Sequence, residues 1–117
     1  MTGYDIYEKA MLYIGMGDNN GEISDGNAVL PIALEAVNQI GYDLCEMKPK
    51  SSLFETVEAP ENVLSAMPYG VGMIIAMSMG LTQQNALMSE LYSAKRTTIK
   101  SGSSKIKDRL PVSGVGV

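Results

Sequence analysis

The sequence predicts an all-α fold: a small bundle of about four helices with an extended crossing segment and a flexible C-terminal tail. Apolar residues recur every three or four positions in four stretches, which is the period of a helix that buries one side. Glycines and prolines separate these stretches. A length of 117 residues fits one small domain, so we assign residues 1–101 to the helical domain and residues 102–117 to the tail.

Two helices are predicted in the N-terminal half, on either side of a loop. The first is expected over residues 5–16, with Thr2 or Asp5 as its N-terminal cap and Gly15 as its stop. Turn-forming and acidic residues predict the loop over 17–27, since glycine, asparagine and aspartate favour turn conformations.

The second helix is predicted over residues 28–47, where a single apolar stripe continues from one end to the other. We expect Cys45 to lie on or beside this stripe as a small buried side chain. The opposite side is expected to face water, and it carries Glu35, Asn38, Gln39, Asp43 and Glu46.

An extended crossing and a third helix follow. Residues 48–61 alternate in character between two prolines, which predicts an extended segment that need not join any sheet. The third helix is expected from Glu61 to about Met79, with Gly80 at its C-terminal break. Pro68 lies inside this helix and should kink or restart it.

The fourth helix is predicted over residues 82–101, with Thr82 as its cap. The remaining residues are basic, rich in glycine and serine, and include Pro111. We therefore expect a tail with no fold of its own until it docks. The apolar side of the fourth helix is expected to comprise Ala86, Leu87, Leu91, Tyr92 and Ala94.

The stretch from Asn62 to Ser89 contains no charged residue and is long enough for a membrane span by length alone. Polar residues and Gly80 interrupt it, however, and no basic residue follows before Lys95. Membrane spans usually carry basic and aromatic residues close to their ends. The sequence therefore predicts no membrane span but a helix enclosed by protein.

A helix that is apolar all round needs more cover than a four-helix monomer is expected to give. A chain of this length also gains stability by self-association, because it buries only about two-thirds of its unfolded surface. We therefore expect sister copies to cover the third helix, with ordinary core packing as the alternative for its methionines. The subunit-interface candidates are Met67, Gly70, Gly72, Met73, Ala76, Met77 and Gly80.

Charge is distributed unevenly along the chain. Residues 1–61 carry eleven acidic residues against three lysines, whereas residues 95–117 carry six basic residues against Asp108. A basic end can contact an acidic protein face, contact DNA or remain solvated. Without interleaved aromatic residues it cannot read bases, so any DNA contact should be nonspecific. The partner-binding candidates are Lys100, Lys105, Lys107 and Arg109.

The composition lacks the groups on which most catalysis depends. Histidine is absent, which removes the commonest general base and the commonest transition-metal ligand. The single cysteine cannot form an internal disulfide, so a reducing, cytosolic setting fits. We therefore expect a protein that is not an enzyme, with no catalytic, cofactor-binding or metal-binding residue and no cofactor.

Five short stretches stand in a characteristic order: EKAMLYIG near the start, ALEAVNQI, LFETVEAPE in the crossing, YGVGMIIAMSMG in the third helix and NALMSELYSAKR in the fourth. In this order and spacing the chain resembles, across roughly residues 4–111, the head-to-tail connector (adaptor or head-completion) proteins of tailed bacteriophages and prophages. It departs from usual members in its third helix, which lacks their scattered acids and arginines and contains Pro68.

The resemblance implies an all-helical, non-enzymatic structural subunit that forms a homo-oligomeric ring beneath the portal of a DNA-filled capsid. It also implies a place in the virion neck after assembly in the bacterial cytoplasm, with the portal and other neck or tail proteins as partners. Duplex DNA would pass through the ring without sequence-specific binding. The alternative is a small cytosolic helical dimer that acts as a regulatory or nucleic-acid-binding module.

Overall fold

The structure is a computed structural model that describes residues 1–16 and 29–115, with side chains as far as Ser101. In this part of the chain the fold consists of four helices, which confirms the predicted all-α architecture. The loop predicted over 17–27 lies outside the described residues. The helices are α1 (Gly3–Tyr13), α2 (Val29–Cys45), α3 (Glu61–Ser78) and α4 (Thr82–Val115).

The helix α3 lies at the centre of the bundle and packs against α1, α2 and α4. Its apolar side chains enter one continuous core that also takes in residues of the other three helices and of the crossing segment. This arrangement buries the central part of the uncharged stretch inside the chain itself. The buried residues of α3 are Val63, Ala66, Met67, Pro68, Gly70, Val71, Gly72, Ile75 and Ala76.

Local signals set the ends of α1 and α3. Thr2 and Asp5 form a capping box, in which the Asp5 N–H donates to Thr2 Oγ1 at 3.1 Å and the Thr2 N–H donates to Asp5 Oδ2 at 2.9 Å. Gly15 follows α1 and Gly80 follows α3, both with positive φ (84° and 74°), so both predicted stops are confirmed. The helix α3 continues through Pro68, so the expected restart does not occur.

The residue directly after α2 has an unfavourable backbone conformation. Glu46 is exposed and has a φ of +54°, in the left-handed region that a side chain disfavours and glycine adopts freely. Its N–H donates to the Tyr42 carbonyl at 2.8 Å, which closes the end of the helix. The chain therefore holds Glu46 in a strained conformation to end α2 here.

Replacing Glu46 with glycine is expected to raise the free energy of unfolding by about 0.5–1 kcal/mol, because the left-handed conformation then carries no steric penalty. Urea denaturation at constant m-value measures the change. The matched control is Glu46→Ala, which removes the charge but keeps a Cβ, and it should give no such gain. Equal stabilisation by both variants would attribute the effect to charge and contradict the prediction.

One side chain of α2 fixes the crossing segment. The Asn38 amide donates to the Lys50 carbonyl at 2.9 Å and accepts from the Lys50 N–H at 2.7 Å. Leu53 and Val57 then enter the core, and the Leu53 carbonyl accepts from the Tyr4 N–H at 2.8 Å. Asn38 was expected to face water but is a half-buried anchor, because the crossing returns along α2 and covers it.

The helix α4 buries a different side from the predicted one. Met88 and Tyr92 lie in the core, with 2% and 6% of their surfaces exposed. Their neighbours on α2 and α3 decide this orientation, which the sequence of α4 alone does not specify. Of the predicted apolar side, Tyr92 is buried as expected. The other four residues are exposed: Ala86, Leu87, Leu91 and Ala94.

Along the backbone, α4 extends to Val115, past the predicted end at Ser101. The assignment of 102–117 as a flexible tail stays a prediction, because the side chains of 102–115 and all of 116–117 lie outside the described part. None of the helices in the described residues combines the length and the apolar character that crossing a membrane requires.

Candidate functional site

Four of the predicted subunit-interface residues lie in the chain's own core. Met67 and Ala76 have no exposed surface, and Gly70 and Gly72 are also buried. The expectation that sister copies cover these positions is therefore wrong. The helices α1, α2 and α4 together surround α3, so a helix that is apolar on all sides is covered within one chain.

Gly70 explains how the neighbouring helices come so close. A Cβ atom added at Gly70 would lie 2.7 Å from Ile40 Cδ1 on α2 and 2.8 Å from Tyr92 Cε1 on α4. Both distances are shorter than van der Waals contact, so a Cβ here would push Ile40 or the Tyr92 ring away from α3. The small residues of α3 therefore serve packing between helices of the same chain.

The other predicted interface residues lie nearer the surface, towards the C-terminal end of α3. Met73 is half-buried, and Gly80 is exposed in the turn that follows the helix. Met77 is 64% exposed and Met79 is 37% exposed. This end of α3 is the part of the predicted interface that remains accessible.

A polar network joins α2 to α4. The Tyr92 hydroxyl donates to Asp43 Oδ2 at 2.5 Å. The Arg96 guanidinium donates through Nε to Oδ2 at 2.7 Å and through Nη2 to Oδ1 at 3.1 Å. Asp43 was expected to face water. It instead accepts hydrogen bonds from Tyr92 and Arg96, because α4 lies directly beside this turn of α2.

The network shifts the titration of its members. The Arg96 hydrogen bond, assisted by the one from Tyr92, lowers the pKa of Asp43 below its ordinary value although partial burial opposes this. Burial and the bond to the Asp43 carboxylate raise the pKa of the Tyr92 hydroxyl. The ion pair of Asp43 and Arg96 therefore remains charged at neutral pH. It lies beside a groove of about 520 Å³ whose rim includes Tyr42, Glu46 and Lys100.

Replacing Asp43 with asparagine is expected to lower the free energy of unfolding by about 1 kcal/mol at pH 7, since a partly exposed ion pair and a hydrogen bond are weakened. The folded-state pKa of Asp43 is depressed, so its contribution is present above the ordinary pKa of 3.8 and is lost as the pH falls through the folded value. The difference from wild type should therefore shrink below pH 3.8.

Denaturation of both proteins between pH 7 and pH 2.5 measures this difference. The control is Glu35→Gln, which removes an exposed carboxylate elsewhere on α2 and should change stability at pH 7 by less than about 0.5 kcal/mol. A difference between wild type and Asp43→Asn that does not change with pH would contradict the assigned role of the carboxylate.

On the other flank of α4, an aromatic cluster lies against α1 and α3. The rings of Tyr13 and Tyr69 lie with their centroids 4.9 Å apart. The Lys95 ammonium lies 5.2 Å from the centre of the Tyr69 ring, within the range of a cation–π contact. This flank therefore brings the end of α1 close to the side of α4 that carries Lys95.

The same flank of α4 carries a row of exposed residues, which we call the outer row. Leu87 is 51% exposed and Leu91 is 37% exposed, although both are large apolar side chains. Leu91 lies one turn before Lys95, so the row adjoins the aromatic cluster. The outer row consists of Leu87, Leu91, Ala94 and Thr98.

A second exposed apolar feature is a rigid turn in the crossing. The Glu55 carboxylate accepts hydrogen bonds from the Ser51 N–H, the Ser51 hydroxyl and the Ser52 N–H, at 2.8–3.1 Å. Phe54 extends from this turn with 71% of its surface exposed and stacks partly on Tyr4, with ring centroids 5.4 Å apart. Sequence analysis missed it, although the signal was a lone phenylalanine among polar residues.

The structure separates the remaining predicted residues. Lys100 is exposed on α4 near the groove, whereas the side chains of Lys105, Lys107 and Arg109 lie outside the described part. Cys45 is exposed and not buried as expected, because α2 turns it away from the core in its last turn.

Within the described residues, no three side chains of His, Cys, Asp or Glu come together as a metal site would require. Comparison of the chain with models of protein families, with curated proteins and with solved structures gives no significant match.

Proposed function

We propose that this chain is a non-enzymatic structural subunit of a phage or prophage head–tail connector. In this role, copies of the chain form a ring that joins the capsid portal to the tail and lets DNA pass. The order of the five sequence stretches supports the proposal, and the helical fold is compatible with it.

The observation that carries the proposal is the amount of large apolar surface left exposed. A small chain that fills its own core and still presents many such side chains gains free energy when other proteins cover them. In the described residues these side chains occur on all four helices or beside them. They are Met1, Leu12, Tyr13, Tyr42, Phe54, Met77, Met79, Leu87 and Leu91.

Phe54 has the properties of an interface anchor. The Glu55 carboxylate holds the turn that carries Phe54. Little conformational entropy is therefore lost when the phenyl group enters a pocket of a partner protein. Buried aromatic anchors of this kind contribute much of the binding free energy in protein interfaces. We assign Phe54 to contact with the portal or with another neck protein.

The charge distribution agrees with a passage for DNA. The first 61 residues carry a large excess of acidic side chains, which repel the phosphate backbone and prevent tight binding to the channel. The basic residues are concentrated from Lys95 onwards, where they can meet an acidic face of a neck protein. This arrangement favours passage of DNA over its capture.

Native mass spectrometry at micromolar concentration, with and without a phage portal protein, tests the proposal. We expect a closed assembly of many copies, at least when portal is present. A chain that remains monomeric in both conditions would overturn the proposal. Phe54→Ser should weaken portal binding, whereas Tyr42→Ser, an exposed aromatic on α2, serves as the matched control.

Two further observations separate the proposal from its alternative. Neighbouring genes for portal, terminase, capsid and tail proteins would support a connector. Strong binding to nonspecific duplex DNA that falls steeply with salt, and that disappears when Lys105, Lys107 and Arg109 become alanine, would instead support a nucleic-acid-binding dimer.

A further inference from the structure

The outer row of α4 has the spacing of a coiled-coil seam. Leu87, Leu91, Ala94 and Thr98 follow one another by four, three and four positions, and Gln84 and Ser101 continue the alternation at either end. A seam in which positions alternate by three and four is what two supercoiled helices bury between them. In the described structure the two leucines of this seam are exposed to solvent.

The seam is separate from the side that α4 uses inside the bundle. The core side is formed by Met88, Tyr92 and Ile99, which pack against the other helices. Residues 87 and 88 point about 100° apart around a helix, so the two rows lie on adjacent sides. The helix α4 can therefore keep its place in the bundle and pair with another helix at the same time.

The charges beside the seam identify the second helix. Glu90 and Lys95 lie on opposite edges of the outer row, and these edge positions set partner choice and direction in coiled coils. In a parallel pair of identical helices, Glu90 of each copy faces Lys95 of the other. An antiparallel pair would instead place Glu90 against Glu90 and Lys95 against Lys95, which repel.

We propose that the outer row pairs with the outer row of a second copy of this chain, in parallel orientation. The cation–π contact holds the Lys95 ammonium near Tyr69, at the edge where Glu90 of the second copy arrives. Tyr13, which is 41% exposed and contacts Tyr69, lies on the same flank and extends the apolar surface.

This pairing does not depend on the connector function, since it follows from the spacing and charges of α4 alone. A row that pairs with the same row of a second copy is related to it by a two-fold axis, whereas neighbours in a ring contact one another through two different surfaces. The pair is therefore distinct from the contacts that close the proposed ring, and it also stands if the chain acts outside a virion.

Sedimentation equilibrium on the full chain tests the seam. The double variant Leu87→Ser/Leu91→Ser should raise the dissociation constant of self-association roughly a hundredfold, because four leucines leave the interface. Both side chains are exposed in the monomer, so circular dichroism should show an unchanged fold. Tyr42→Ser removes a large side chain elsewhere that is 64% exposed, and it should leave the constant within about threefold of wild type.

Self-association of the double variant at the wild-type constant would overturn the proposal, as would a wild-type chain that stays monomeric at all concentrations. Loss of fold in the double variant would show that the chain itself covers the row, which also overturns it. This experiment does not use the portal protein, so a negative result would not decide whether the chain is a connector subunit.

Charge reversal tests the direction of the pair. Glu90→Lys and Lys95→Glu should each weaken self-association roughly tenfold, because each places like charges opposite one another in both copies. The double reversal Glu90→Lys/Lys95→Glu should restore the wild-type constant. In an antiparallel pair, like charges face one another before and after each of these changes, so neither single reversal would weaken self-association, and that result would overturn the assigned orientation.

Discussion

Met67→Ala is expected to lower the free energy of unfolding by about 3 kcal/mol, because it leaves a cavity in the centre of the bundle. Met67 has no exposed surface and lies on the side of α3 that the other helices cover. Urea denaturation of the monomer, monitored by circular dichroism, measures the loss.

Met77→Ala is the matched control, since it makes the same chemical change on the same helix at a side chain that is 64% exposed. Its effect on unfolding should be below about 0.5 kcal/mol. If Met67→Ala were instead neutral for folding and weakened association between copies, the placement of Met67 in the core would be wrong.

Gly70→Val is expected to reduce stability by about 3 kcal/mol or more, because overpacking forces neighbouring side chains and helices apart. The added atoms would meet Ile40 on α2 and the ring of Tyr92 on α4 at less than 3 Å. Gly70→Ala should lose less, about 1 kcal/mol, because better helix propensity offsets part of the clash. Thermal and urea denaturation of both variants measure these losses.

The nearby Gly72 provides the control for helix propensity. A Cβ at Gly72 would lie 3.3 Å from Ile14 and 3.4 Å from Met88, whose long side chain can shift. Gly72→Ala should therefore leave stability unchanged or raise it by up to about 1 kcal/mol. Destabilisation by Gly72→Ala as large as that by Gly70→Ala would contradict the close approach assigned to Gly70.

Local sequence signals predicted the helices themselves. The Thr2 and Asp5 capping box and the glycines at 15 and 80 act through bonds and dihedral angles within a few residues, so they are legible without any tertiary context. The crossing segment was also predicted, but its anchor was not. Asn38 gives no local sign that a backbone twelve residues away will cover it.

The candidate surface was only partly predictable. Sequence reasoning placed the subunit interface on α3, whose uncharged stretch is the most apolar in the chain, and this helix became the core. It assigned Leu87 and Leu91 to the inside of the bundle, and these side chains are exposed. Both errors have one cause: apolar character shows that a side chain needs cover, but does not show which protein surface covers it.

The sequence by itself determined the fold class, the number of helices among the described residues and most of their ends, because hydrophobic period, caps and turn glycines are local properties. Only the tertiary structure decided which sides of α3 and α4 are buried. The helix α4 carries two apolar rows side by side, one through Met88 and Tyr92 and one through Leu87 and Leu91. Both rows have the same helical period, so the period alone does not show which of them is buried. The row with Tyr92 packs inside the bundle because Gly70 on α3 leaves room for the Tyr92 ring.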